Sequence, residues 1–594
     1  MKTYRNRTNV PVQETWNLAD IYPNIEEWHV QYALIEEKVA ELNSFNGNIS
    51  SAEELYQFLN LKEEMTYEYS KLYVYAFLQH DLDTRVSASQ ALLDKASHLG
   101  QKISSATSFF MPFLLSLDES TLKSYINEVK ELAYFEDSLF ESYRYKKHVL
   151  SKEQEEILSK MGDALGSPRQ TFGMINNADI RFGEVTTDSG EKVTLTRGMY
   201  SKLIEDKNRE KRKEAFQAYY KPYMHLQHTI ASTLSSAIKN TKTTSEIRQY
   251  PSTLERALFS DNVPKEVYEN LIQTTKAHIQ PLYDYMDIRK KELGLSELRQ
   301  YDLSVPLVKN HKLTIPYDKA YETMLESLYP LGEEYVNTLK SFKEKRYIDV
   351  RETPGKRSGA YNLGLYGVHP FVLLNHQDDL SSLFTLTHEM GHAMHSYYSN
   401  QYQPQIKAGY SIFVAEVAST VNEVLLIRYL IERAKTEEEK KYLLNHFIDQ
   451  FKGTFFTQVM FAEFEQITHE KAQKQEALNA EVFNEVYADL MKQYYGPSLV
   501  ADEETKYGWA RIPHFYRPFY VYKYATGFVS AIDIADRLIK KEKGTKEAYL
   551  QFLRSGSSDY PLELLKATNV DLLKPDAIAN AMSVFAELVK QLTK

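Results

Sequence analysis

The chain of 594 residues contains no cysteine. That excludes a disulfide framework, thiolate-held zinc or iron–sulfur clusters, and a cysteine nucleophile. Proline (19) and glycine (22) are scarce and widely spaced, so few positions force a helix to stop. Positive charge is in deficit: 71 Lys and Arg against 81 Asp and Glu leave a formal net charge of -10. A basic surface for nucleic acid is therefore not expected. No run approaches the roughly 18 uninterrupted apolar residues of a membrane-spanning helix. The opening Met1–Arg7 is polar, with no apolar stretch behind it to act as a secretory signal. The expectation is a soluble cytoplasmic protein with no nucleic-acid or membrane partner. Tyrosine, by contrast, is abundant, at 44 residues.

Apolar residues recur at three- and four-residue intervals along most of the chain, which predicts a mainly α fold. A helix is expected from Ala52 to about Gln79, with Leu55, Phe58, Leu59 and Leu61 on one stripe. Another is expected from Glu437 to about Gln473, carrying Phe447, Ile448, Phe451 and Phe455. Such aromatic stripes read as core packing. Two regions break the pattern. Residues 180–196 alternate through Phe182, Val185, Val193 and Leu195 around Asp188-Ser189-Gly190, predicting a β-hairpin. Residues 347–375 predict short strands with glycine connections at Gly359, Gly364 and Gly367.

The strongest chemical signal is His388-Glu389-Met390-Gly391-His392. On a helix turning about 100° per residue, the two histidines project within about 40° of each other, so both imidazoles can reach one zinc ion. Glu389 beside them can take a proton from water on the metal. Asp378, Asp379, Ser381 and Ser382 offer N-caps, and Leu383, Leu386, Met390, Met394 and Tyr397 form an apolar stripe facing away from the histidines. The chain holds its own control: His469-Glu470-Lys471-Ala472-Gln473 begins alike but lacks the second histidine.

A catalytic zinc usually has three protein ligands and an open position, and without cysteine the third must be histidine or a carboxylate. His395 lies one turn further along, which makes it awkward as a ligand and points instead to a supporting or substrate-facing role. Glu416 and Glu423 are seven residues apart, about 20° from each other on a helix, among Val414, Val417, Val421 and Val424. Two carboxylates on an apolar face need a cation or donors. One as ligand and one hydrogen-bonded to a ligand histidine would satisfy both.

Residues 388–395 (HEMGHAMH) followed by 413–420 (FVAEVAST) resemble the thimet-oligopeptidase-like zinc peptidases, and within them the bacterial oligoendopeptidase F branch. The resemblance implies one zinc ion held by His388, His392 and Glu416, with Glu423 behind a ligand histidine and Glu389 as general base. It also implies histidine and tyrosine donors near the C-terminus, which fall on His514, Tyr520 and Tyr524 in this chain; a further tyrosine of some relatives falls at Gly527. Such donors would meet the oxyanion formed when water attacks an amide. The implied fold is a two-lobed helical shell around a deep substrate channel. A small sheet beside the active-site helix would carry an edge, near Gly359, that pairs with an extended peptide. The expected division is a helical domain with the hairpin at 1–200 and a catalytic domain at 201–594. The expected activity is endopeptidase hydrolysis of short unfolded oligopeptides. An exopeptidase releasing carboxy-terminal dipeptides, with Arg511 or Arg517 binding the substrate carboxylate, is the nearest alternative, and a non-catalytic helical peptide-binding scaffold the more distant one.

Overall fold

In the computed structural model, residues 4–187, 190–308 and 313–593 are described. The chain is mainly α-helical, as the periodicity predicts, with two small sheets. It forms two compact units. The first joins residues 1–147, 313–426 and 537–559, and the second joins 148–312, 427–536 and 560–594. Residue 200, where a boundary was expected, lies inside the first segment of the second unit. These units arise from packing between segments far apart in sequence, which local composition does not encode.

The second unit carries the hairpin. Strands β1 (Glu184–Thr186) and β2 (Lys192–Thr194) pair antiparallel with Val185 opposite Val193. Asp188 and Ser189, named in the expected turn, lie outside the described residues. The long aromatic helix forms as Glu437–Gln450, a π-helical turn at Phe451–Phe456, and Thr457–Gln473. Phe447, Phe451 and Phe455 are fully buried, as the stripe predicted, and so is the adjacent Phe456. The wider π turn interrupts the regular spacing that the sequence alone suggested.

The first unit holds the motif. Its three-stranded sheet contains β3 (Ile348–Asp349), β4 (Tyr361–Leu363) and β5 (Phe371–Leu373), in the order β3-β5-β4. β3 runs parallel to β5, and β4 pairs with it antiparallel, Asn362 opposite Val372. Val372 and Leu374 donate their N–H groups to Tyr347 and Asp349 at 2.9 and 2.8 Å, away from β4. Backbone groups alternate sides along a strand. Asn362 therefore turns its own N–H and C=O away from β5, towards the sheet edge.

The histidine helix, Leu380–Tyr402, begins at Asp379, whose side chain accepts the Ser382 N–H at 2.8 Å. Leu383, Leu386, Met390 and Met394 are fully buried along its predicted core stripe. The glutamate helix, Ile412–Glu432, buries Val414, Val417, Val421 and Val424. Two features lock the pair together. Asn422 is fully buried, accepts from Tyr335 Oη at 3.0 Å and donates to the Thr387 carbonyl at 3.4 Å. At Gly391 the helices meet so closely that a Cβ would lie 2.6 Å from both the Ala418 carbonyl oxygen and Ser419 Cα.

β4 is tied to the histidine helix in turn. Asn362 donates from its side chain to Ser396 Oγ at 3.0 Å. Gly364 permits that approach, since a Cβ there would sit 2.6 Å from Ser396 Cβ. Gly359 sits in a left-handed turn at φ +86°, with no atom within 4 Å of where its Cβ would lie.

Candidate metal centre

Consecutive turns of the histidine helix carry His388 and His392. The Nε2 atoms of His388 and His392 lie 3.1 Å apart. Glu416 Oε2, brought across by the Gly391 crossing, is 3.5 Å from the first and 3.6 Å from the second. A tetrahedral zinc with bonds of about 2.0–2.1 Å needs donors roughly 3.3 Å apart. The three atoms match that spacing, and they form the one three-residue group with metal-binding geometry among the described residues. His395 is not part of it. Its ring is buried and stacks on Tyr410 at 3.7 Å and 9°.

Glu423 stands behind His388, its Oε1 3.2 Å from Nδ1. An N–H on Nδ1 donated to that carboxylate leaves the Nε2 lone pair directed at the other two donors. Burial disfavours charge on His388, but the Glu423 hydrogen bond and the charges of Glu423, Glu389 and Glu416 outweigh it and push its pKa up to about 9. Burial and the neighbouring His388 charge hold His392 well below the ordinary histidine range. Glu389 is buried, 7% exposed, and burial pushes its carboxyl up to about 7 against the opposing charge of His388. The outward N–H of Asn362 also bears on that carboxyl and favours its charged form.

Glu423→Ala should weaken zinc binding by roughly 10–100-fold, because His388 then loses the partner that fixes its orientation and tautomer. Competition against a chromogenic chelator measures this, and an unchanged affinity would show that His388 is held by other means.

His514, Tyr520 and Tyr524 belong to the second unit, where the fold gathers them into one cluster. The His514 and Tyr520 rings lie parallel at 6.4 Å, and Tyr524 stands edge-on to them at 6.2 and 5.4 Å. Arg517 places its guanidinium 4.2 Å from the centre of the Tyr520 ring. Burial and Arg517 keep His514 neutral, its pKa below the ordinary histidine range. Tyr522 is fully buried in the core. So is His469 of the control motif, which meets Thr253 Oγ1 at 3.1 Å.

Three contributors were not singled out from sequence. Gly391 sets the helix crossing, and its signal was a glycine inside a strongly helical pattern. Asn422 and Tyr410 carried no local signal; Tyr410 Oη lies 2.8 Å from Ser396 Oγ beneath the site.

A helical protein with two histidines and a glutamate converging on one point, and a second glutamate buried alongside, falls in the class of metal-dependent hydrolases by its arrangement. Comparison with known proteins places it more narrowly. The sequence model of peptidase family M3 matches residues 202–584, and that of oligopeptidase F matches residues 114–182. The chain belongs to peptidase family M3. It is 41% identical to oligopeptidase PepF of Bacillus subtilis (strain 168), over 99% of this chain and 88% of that protein. It is 37% identical to group B oligopeptidase PepB of Streptococcus agalactiae, over 99% and 98% of the two chains. The crystal structure of oligoendopeptidase-F from Enterococcus faecium superposes with a TM-score of 0.74 at 33% identity, covering 96% of this chain and 98% of that one. No helix among the described residues is long and apolar enough to cross a membrane.

Proposed function

We propose that this protein is a zinc-dependent endopeptidase that hydrolyses short, unfolded oligopeptides. The observation that carries the reading is the trio of donor atoms 3.1, 3.5 and 3.6 Å apart on His388, His392 and Glu416. The names of the similar proteins, oligopeptidases and oligoendopeptidases, support the substrate class. Zinc held there would supply a Lewis acid that polarises the scissile carbonyl and makes water nucleophilic near neutral pH. Glu389 takes the proton of the attacking water on its carboxylate and passes it to the leaving amine nitrogen. Glu423 keeps the His388 ring oriented throughout. His514 and Tyr520 donate hydrogen bonds to the developing oxyanion. The edge that β4 presents aligns an extended peptide main chain without reading its side chains.

A peptide of about ten residues, blocked at both termini, tests the reading. The purified protein should cut it internally. A chelator should abolish cleavage, and stoichiometric zinc should restore it. Mass spectrometry of the products decides the outcome. A blocked peptide left intact while a free one loses carboxy-terminal dipeptides would assign the exopeptidase activity instead. Cleavage that survives complete metal removal would end the zinc mechanism.

A further inference from the structure

Glu465 lies on the helix Thr457–Gln473 of the second unit and is 2% exposed. Its Oε1 accepts the backbone N–H of Phe519 at 3.1 Å, while Oε2 is buried with no hydrogen-bond partner among the described residues. A carboxyl so placed is expensive to bury, and a leucine of similar size would pack there at lower cost. Burial raises its pKa well above the ordinary carboxylate range.

The residue it holds is also unusual. Phe519 adopts φ +57°, the left-handed region that bulky side chains avoid. It follows the 3₁₀ turn Pro513–Tyr516 that carries His514, and immediately precedes Tyr520 and the helix Tyr522–Ile539 that carries Tyr524. It is the one residue of positive φ from 513 to 524. The direction of the chain at Phe519 therefore sets how the His514, Tyr520 and Tyr524 rings face one another. The Phe519 ring is packed as well, edge-on to Tyr268 at 5.8 Å and against His469 at 4.7 Å. His469 is one helical turn beyond Glu465, so a single helix face grips both the ring and the N–H of Phe519. A glycine would adopt this turn without strain but would leave it free to move. A phenylalanine anchored at two points has one orientation.

We propose that Glu465 is a positioning residue for the donor cluster: by accepting the Phe519 N–H it fixes the left-handed turn that aims Tyr520. This role rests on the assignment of His514 and Tyr520 as oxyanion donors. It also accounts for a polar group kept where an apolar one would be more stable, since strained backbone and its supports gather at functional sites.

The test uses the full-length zinc-loaded protein and the doubly blocked peptide. Glu465→Leu removes the acceptor and fills the space. It should bind zinc normally, melt no lower than the unaltered protein, and lose at least tenfold in kcat with KM changed less than threefold. Glu465→Gln, which keeps a neutral carbonyl acceptor, should retain most of kcat. In a Tyr520→Phe background, Glu465→Leu should cost little more. A purely structural role would lower the melting temperature and spare kcat, which overturns the proposal. Unaltered kcat in Glu465→Leu beside an impaired Tyr520→Phe overturns the role of Glu465 alone, as do losses that multiply in the double variant. Unaltered kcat in Tyr520→Phe overturns the donor assignment and this role with it. Should the leucine variant not fold, Glu465→Met, which also lacks the acceptor, takes its place in the same comparisons, and a tenfold loss of kcat in Glu465→Gln at normal melting temperature overturns the proposal.

Discussion

Glu389→Gln is expected to bind zinc as tightly as the unaltered protein and to hydrolyse the blocked peptide with kcat lower by about 10²–10⁴-fold, the range that general acid–base catalysis contributes. The two halves of this prediction have separate causes. Metal binding should survive because the group with the geometry to hold a metal is His388, His392 and Glu416, and Glu389 contributes no donor to it. The replacement is nearly isosteric, so a side chain only 7% exposed is not displaced. Activity is lost because an amide cannot accept the proton of attacking water or return it to the leaving nitrogen. Burial raises the Glu389 carboxyl towards neutrality, to about 7, which suits a group that must hold a proton briefly and release it. Zinc analysis and steady-state kinetics on one preparation suffice. A fully loaded variant working at the original rate would remove Glu389 from the mechanism.

The second large effect concerns a residue with no polar atom in its side chain. Gly391→Ala should destabilise the protein and weaken zinc binding by more than tenfold. Helix propensity alone predicts the opposite, since alanine is favoured over glycine by about 1 kcal/mol in a helix interior. Here the new Cβ would meet the Ala418 carbonyl oxygen and Ser419 Cα at 2.6 Å and the Ala418 carbonyl carbon at 2.9 Å. These are backbone atoms of the neighbouring helix, so no rotamer change relieves the clash. The two helices must separate, and overpacking of this kind costs typically about 1–3 kcal/mol. Glu416 lies two residues before Ala418, so the movement carries its carboxylate away from the histidines. Thermal unfolding and chelator competition read the two consequences. A variant that melts higher and holds zinc unchanged would show that the crossing is not set at Gly391.

Much of the site could be read along the chain because its chemistry depends on short spacings. A spacing of four from His388 to His392, and of seven from Glu416 to Glu423, places like groups on one helix face wherever that helix packs. The helical character followed equally from local periodicity, as the core stripes of Leu383 and Met390 or Phe447 and Phe451 bear out. The π turn at Phe451–Phe456 escaped it, because a single extra residue in a turn leaves almost no trace in an apolar pattern.

Contacts between distant segments could not be read that way. Which glutamate meets the two Nε2 atoms and which supports Nδ1 depends on where two helices cross, and Gly391 sets that crossing through space rather than along the chain. Gly359 and Gly364 looked alike in the sequence, yet one serves a left-handed turn and the other admits Ser396. Glu465 and Phe519, 54 residues apart, meet only because a helix and a loop pack together. The physical reason is the same in each case. Periodicity and residue type settle which way a side chain points from its own helix, whereas its partner is chosen by long-range packing, which no local pattern contains.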